Sequence, residues 1–205
     1  MDFRTLMGIY HALEKTSKRL EKTEIIADFL KKIPDDEVEE VMCLLQGRAF
    51  PQWDERKIGF SSKLIVKAIA KVTGISSSEV ENLWSKKGDL GTVTEEVMKK
   101  KKQTTLAQEK LTTTKVIQNI RKLAGLEGEG TVERKVALVA ELLSAASPEE
   151  ARFVVRTVLE DLRVGVASGV LRDAIAKAYN RDVKEVEAAF HMKSDYGEVA
   201  HLAKK

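Results

Sequence analysis

A single cysteine, Cys43, stands in the 205 residues, so no disulfide can form within the chain. It lies in the apolar run Val41-Met42-Cys43-Leu44-Leu45 and reads as a packed core thiol. Prolines number only three, and the dominance of Lys, Glu, Leu, Val and Ala favours helices. No apolar run approaches the length of a membrane span, which excludes a membrane part. Met1 to Tyr10 carries an acid at once and no apolar stretch ending in small residues, so export is not expected and a cytoplasmic location is. His11, His191 and His201 do not form an HExxH pair, and neither a Cys/His ligand set nor a Walker glycine loop occurs; no metal site or catalytic constellation is expected. Charge of one sign is also lacking. With 35 basic and 32 acidic side chains the net charge is +3, so any basic surface has to be local. Lys86-Lys87 with Lys99 to Lys102, interleaved with Asp89, Glu95 and Glu96, reads either as a phosphate contact or as a solvated helix end.

What the chain does contain is a duplication. Ile58 to Lys71 lies over Val164 to Lys177 without a gap, and Glu79-Val80-Glu81, Lys87, Asp89, Gly91 and Val93 fall on Glu185-Val186-Glu187, Lys193, Asp195, Gly197 and Val199. Upstream, Lys22 to Leu30 resembles Lys135 to Leu143 in a register shifted by seven residues, which places an insertion around Phe50 to Arg56 of the first copy. Apolar residues recur at helical spacing in both copies, as in Ile25, Ile26, Phe29, Leu30 and Leu138, Val139, Leu142, Leu143. Ser147-Pro148-Glu149-Glu150 has the pattern of a capping box, and Ile33-Pro34-Asp35-Asp36 is an acidic helix start. The expected fold is all-α, about twelve short helices in two pseudo-symmetric repeated halves, 1–102 and 115–205, joined by a polar connector at 103–114.

In each copy a basic residue, an apolar residue, a glycine, an apolar residue and small residues precede the best-matched helix: Lys57-Ile58-Gly59-Phe60-Ser61-Ser62 and Arg163-Val164-Gly165-Val166-Ala167-Ser168. Glycine permits close approach of the main chain, and a helix start offers unpaired N–H donors with partial positive charge. Phosphate is the natural occupant, with Lys or Arg adding a charged hydrogen bond. The same pattern is also what a tight loop-to-helix turn needs, with Ser62 and Ser168 as caps. Duplication makes the first reading competitive with the second, because duplex DNA offers two antiparallel backbones across its minor groove that a two-fold protein could grip together. Lys193-Ser194-Asp195-Tyr196 and its repeat partner Lys87-Gly88-Asp89-Leu90 fall short of a nucleotidyl-transfer motif and read as links between helices; Trp84 reads as core, and Trp53 as the pin of the inserted loop, with base stacking as the alternative.

Leu44-Leu45-Gln46-Gly47-Arg48-Ala49-Phe50-Pro51, Ile58-Gly59, Lys67-Ala68-Ile69-Ala70, Gly88-Asp89-Leu90-Gly91, Val155 to Leu159 and Leu162 to Val166 together resemble the N-terminal domain of ATP-dependent DNA ligases, the archaeal type above all. The resemblance covers nearly the whole chain. It implies sequence-independent binding of nicked double-stranded DNA through phosphates and the minor groove, in an enzyme that seals nicks in replication, repair and recombination. By motif position it assigns the contacts to Gly47, Arg48, Lys57, Ile58, Gly59, Phe60, Ser61, Ser62, Lys63, Arg163, Val164, Gly165, Val166, Ala167 and Ser168. It further implies adenylation and oligonucleotide-binding domains as partners, with the AMP-accepting lysine, ATP and Mg²⁺ belonging to the full-length enzyme. The chain itself is then expected to be a monomer, to bind no cofactor and to catalyse nothing. A sliding-clamp contact is suggested at Gln103 and Leu106, where Ala107 and Gln108 stand in place of aromatic anchors. A helical protein-interaction scaffold is the reading from another class.

Overall fold

The computed structural model describes residues 1–100 and 110–205. Among these the chain is all-α, as its composition and periodicity imply. The helices are α1 (Phe3–Glu14), α2 (Arg19–Leu30), α3 (Val38–Leu45), α4 (Ser62–Thr73), α5 (Ser77–Lys87), α6 (Leu90–Lys100), α7 (Thr113–Ala124), α8 (Thr131–Ala145), α9 (Pro148–Val158), α10 (Ser168–Tyr179), α11 (Val183–Lys193) and α12 (Tyr196–Lys204). A 3-10 turn, Asp35–Glu37, leads into α3 at the acidic start signal. The capping box at Ser147 forms in full: Glu150 N–H donates to the Ser147 hydroxyl and Ser147 N–H to the Glu150 carboxylate.

Two compact units result, and they cut across the sequence repeat. One contains residues 5–55 and 162–205, the other residues 2–4 and 56–161. The first therefore combines α2 and α3 of the first copy with α10, α11 and α12 of the second, and the second combines α4, α5 and α6 with α7, α8 and α9.

In the first unit α10 packs on α2 and α12 on α3. Their apolar stripes supply fully buried Ile26, Leu30, Leu44, Leu45 and Ile175, and Tyr10 joins that core while its hydroxyl donates to the Leu44 carbonyl at 2.8 Å. Ion pairs of Arg19 with Asp173 and Lys177 with Glu24 fasten the rim of the α2–α10 contact. The second unit repeats the scheme: α4 packs on α8 and α6 on α9, over buried Ile65, Ile69, Val93, Val139, Leu143 and Val154. Both α6–α9 and α12–α3 close over a glycine. A Cβ on Gly91 would lie 2.8 Å from the Arg152 carbonyl, and one on Gly197 would lie 3.1 Å from the Glu39 carbonyl.

The aspartate two residues before each of these glycines starts the helix, so the Lys-x-Asp sequences are helix links as read. Asp195 accepts from Glu198 N–H at 2.9 Å. Asp89 accepts from Gly91 N–H at 3.0 Å, from the Thr92 hydroxyl at 2.6 Å and from Arg156 Nη2 at 2.7 Å. Burial by itself would raise the Asp89 carboxyl, but hydrogen bonds from Arg156 and Thr92 outweigh it and hold the pKa at about 2. An unfolded aspartate titrates near ~3.9. Stability from this site is therefore complete above about pH 4 and disappears as pH falls through 2, a contribution of roughly 2 kcal/mol by linkage. Urea melts of wild type and Asp89→Asn should converge as pH falls from 4 to 2; a gap that stays constant over that interval would remove the assignment.

Candidate nucleic-acid interface

The two glycine turns have one construction. Side chains alternate between core and solvent: Lys57 is exposed, Ile58 buried, Gly59 exposed, Phe60 buried and Ser61 exposed, and Arg163, Val164 and Gly165 repeat the order with Val166 half-buried and Ala167 and Ser168 exposed. Apolar residues thus anchor the segment while basic and small ones face out. Gly59 and Gly165 have φ of 63° and 64°, the left-handed region that a Cβ disfavours. Arg163 is also left-handed, at φ 59°.

A lysine from the other sequence copy holds each turn. In the first unit Lys22 of α2 is buried, and its Nζ donates to the Val164 carbonyl at 2.6 Å and the Gly165 carbonyl at 2.9 Å. In the second unit Lys135 of α8, which the duplication aligns with Lys22, donates to the Gly59 carbonyl at 3.2 Å. The helix starts differ. Ser61 caps α4 by accepting from Leu64 N–H, whereas the corresponding Ala167 gives α10 no side-chain cap. Ser62 and Ser168, read as caps from the sequence, are the first helical residues instead, because each turn delivers its chain to the helix one residue earlier than the spacing suggests.

Gly47 and Arg48 lie in the first unit with the Arg163–Ser168 turn. Gly47, at φ 68°, is buried and ends α3, with Arg48 N–H returning to the Cys43 carbonyl at 3.0 Å. A Cβ on it would come 2.8 Å from Leu162 Cβ, so Gly47 sets how closely the end of α3 meets the segment leading into the Arg163 turn. Arg48, next to it, is exposed. The insertion that follows is pinned by Phe50 and by Ile58, 5% and 2% exposed. Trp53, expected to serve as that pin, is 59% exposed, since the flanking apolar residues already fill the space beneath the loop. Trp84, expected in the core, is half-buried near the α5 terminus, where polar neighbours leave one side open.

The electrostatics separate the basic clusters. Lys87 and Lys100 pair with Glu96, and Lys99 with Glu95, so these three lysines of the cluster are neutralised by their own acids. Arg48, Lys57 and Lys63, in contrast, have no carboxylate partner among the described residues. Lys63, Lys67 and Lys71 also recur every four residues along α4, and all three are exposed, a basic stripe on one helix face. Analysis of the sequence missed this stripe, although a signal for it was present: residues 56–78 include Arg56, Lys57, Lys63, Lys67 and Lys71 and no acid. On α10 the corresponding positions are Gly169, Asp173 and Lys177, and the latter two are engaged with Arg19 and Glu24.

Gln103 and Leu106 lie outside the described residues. Among the described residues no three His, Cys, Asp or Glu side chains converge as a metal site would require, and no helix is long and apolar enough to cross a membrane.

A family model described as DNA ligase N terminus matches residues 2–176. The chain is 43% identical over 204 residues to a DNA ligase of Thermococcus onnurineus, covering 100% of this chain and 36% of that protein. Against the DNA ligase of Methanothermobacter thermautotrophicus it is 42% identical over 203 residues, 99% of this chain and 36% of the other. Against that of Archaeoglobus fulgidus it is 44% identical over 194 residues, 94% and 35%. The chain thus spans little more than a third of the length of the curated relatives it matches.

Two glycine substitutions separate conformation from contact. Gly74→Ala, at φ 77° with nothing within 4 Å of the new Cβ, should lose about 1 kcal/mol from the left-handed backbone alone. Gly47→Ala adds the collision with Leu162 and should lose about 3 kcal/mol in denaturant titration. Equal losses would mean that the close approach of α3 to Leu162 is not a constraint.

Proposed function

The chain belongs to the DNA ligase N-terminus family, and on that footing we propose that it grips nicked double-stranded DNA by its phosphates, without reading base sequence, on behalf of an ATP-dependent ligase. The observation that carries this reading is a set of exposed cations at the end of α3, in the first glycine turn and along α4: Arg48, Lys57, Lys63, Lys67 and Lys71 face solvent with no carboxylate partner among the described residues. Cations held this way keep their charge for a partner, and a duplex backbone presents charges at regular intervals.

The chemistry of each turn is that of positioning. Main-chain N–H groups at the start of α10, which no side chain caps, offer donors to phosphate oxygens, and the exposed Arg163 adds a charged hydrogen bond. On α4 the serine cap occupies part of that capacity, and the lysine stripe takes over as the electrostatic track. The buried Ile58, Phe60 and Val164 hold the main chain in place, and their contribution to the contact is through backbone atoms. Contacts of this kind fix register and orientation and carry no sequence information. ATP and Mg²⁺ would serve bond formation in the whole enzyme; among the described residues no three His, Cys, Asp or Glu side chains converge as a metal site would require. Its role is to hold the nick, as a cytoplasmic monomeric module, while the remaining ligase domains act.

Fluorescence anisotropy with a nicked duplex and an unrelated intact duplex at two salt concentrations tests the reading. Binding should weaken steeply with salt and depend little on sequence. Arg163→Ala and Lys57→Ala should each weaken both duplexes about tenfold and reduce the salt slope by about 0.9. Wild-type affinity in both variants would remove the turns from the interface, and no wild-type binding at low salt would favour a protein-interaction scaffold.

A further inference from the structure

We propose that Lys22 is itself a phosphate ligand of the α10 turn, reached through the gap that Gly165 leaves by having no side chain. The inference rests on the phosphate reading above and adds to it a residue that neither the repeat motif nor the turn sequence contains. Three observations support it. Lys22 is 7% exposed, and no carboxylate among the described residues pairs with it. Its ammonium has three N–H donors, of which the Val164 and Gly165 carbonyls take two, at 2.6 and 2.9 Å. A Cβ placed on Gly165 would lie 2.6 Å from Nζ, so the cation sits directly against an exposed residue that has no side chain to cover it.

A buried ammonium with no counter-ion is costly, and two neutral carbonyls offset only part of that cost. An anion arriving at Gly165 would take the third donor and supply the missing charge. The equivalent lysine of the other turn makes a useful contrast. Lys135 is half-buried and reaches one carbonyl, Gly59, at 3.2 Å, and the helix beyond that turn is already capped by Ser61. The α10 turn combines the buried cation, the open glycine and the uncapped helix start.

The test is a methylphosphonate scan of the nicked duplex, neutralising one phosphate at a time and reading affinity by anisotropy for wild type, Lys22→Met, Gly165→Ala and Arg163→Ala, with circular dichroism as the check on folding. At one phosphate, neutralisation should weaken wild type about tenfold and leave Lys22→Met unchanged, and Lys22→Met should lower the salt slope by about 0.9. Gly165→Ala keeps the charge but displaces Nζ, so it should lose the same coupling even if Lys22→Met folds poorly. If no phosphate distinguishes the variants from wild type, Lys22 only braces the turn and the proposal fails. It fails equally if the coupling vanishes in Arg163→Ala, because Lys22 would then act only by holding that arginine. Duplex binding that persists through either of these results would leave the phosphate reading standing; absence of wild-type binding would remove both.

Discussion

The packing of α10 across α2, and of α4 across α8, decides where each glycine turn can lie, because the lysine that holds the turn stands on the partner helix. Val164 and Gly165 cannot keep their carbonyls aimed at Lys22 unless α2 runs beneath them, and α2 comes from the other copy of the repeat. The apolar stripes of both helices therefore have a second consequence beyond core burial. They deliver a cation to a segment far away in sequence, and the alternation of buried and exposed residues in that segment follows from the same support. Loops whose polar main chain is satisfied by a fixed donor have fewer conformations to lose when they bind.

Crossing of the copies between units also accounts for how one duplicated sequence yields two unlike surfaces. The backbone plan is kept, down to the left-handed glycine at φ 63° and 64° and the helix closure over Gly91 and Gly197. The side chains laid on that plan differ. Where α4 presents Lys63, Lys67 and Lys71, α10 presents Gly169, Asp173 and Lys177, tied to α2 by Arg19 and Glu24. Packing constrains the buried positions of both copies alike, while the exposed positions are open to separate use.

Much of this was legible because the signals concerned are local. Helical periodicity, the Ser147 box and the gapless overlap of Ile58–Lys71 with Val164–Lys177 depend on neighbouring residues, and all-α architecture follows from them. The glycine turns were visible for the same reason. What remained hidden depends on contacts between distant segments. Nothing in the surroundings of Lys22 in sequence connects it to Gly165, 143 positions away, and nothing next to Gly47 announces Leu162. Trp53 was misread because an aromatic residue beside proline suggests burial, whereas Phe50 and Ile58 on either side already fill that role. The α4 stripe was within reach, since an acid-free run with lysines every four residues needs no tertiary information, whereas Lys99 and Lys100 of the denser cluster are neutralised by Glu95 and Glu96.

The α10 turn gathers three departures from low-energy structure in one place. Arg163 is left-handed without being glycine, and the three other such residues among those described, Glu160, Asn180 and Ser194, all follow a helix C-terminus, where that conformation ends the helix; Arg163 does not. The start of α10 has no side-chain cap, as is also true of α2, α3 and α8, whereas α4, α5, α7, α9, α11 and α12 are each capped by Ser, Thr or Asp. Beneath it lies a buried ammonium without a carboxylate. Each departure costs on the order of 1 kcal/mol or more, and two of them, the uncapped helix start and the buried ammonium, favour a negative charge. An anion at this turn would relieve both of these, which is why the proposed phosphate site follows from this turn rather than from the charge of the chain as a whole.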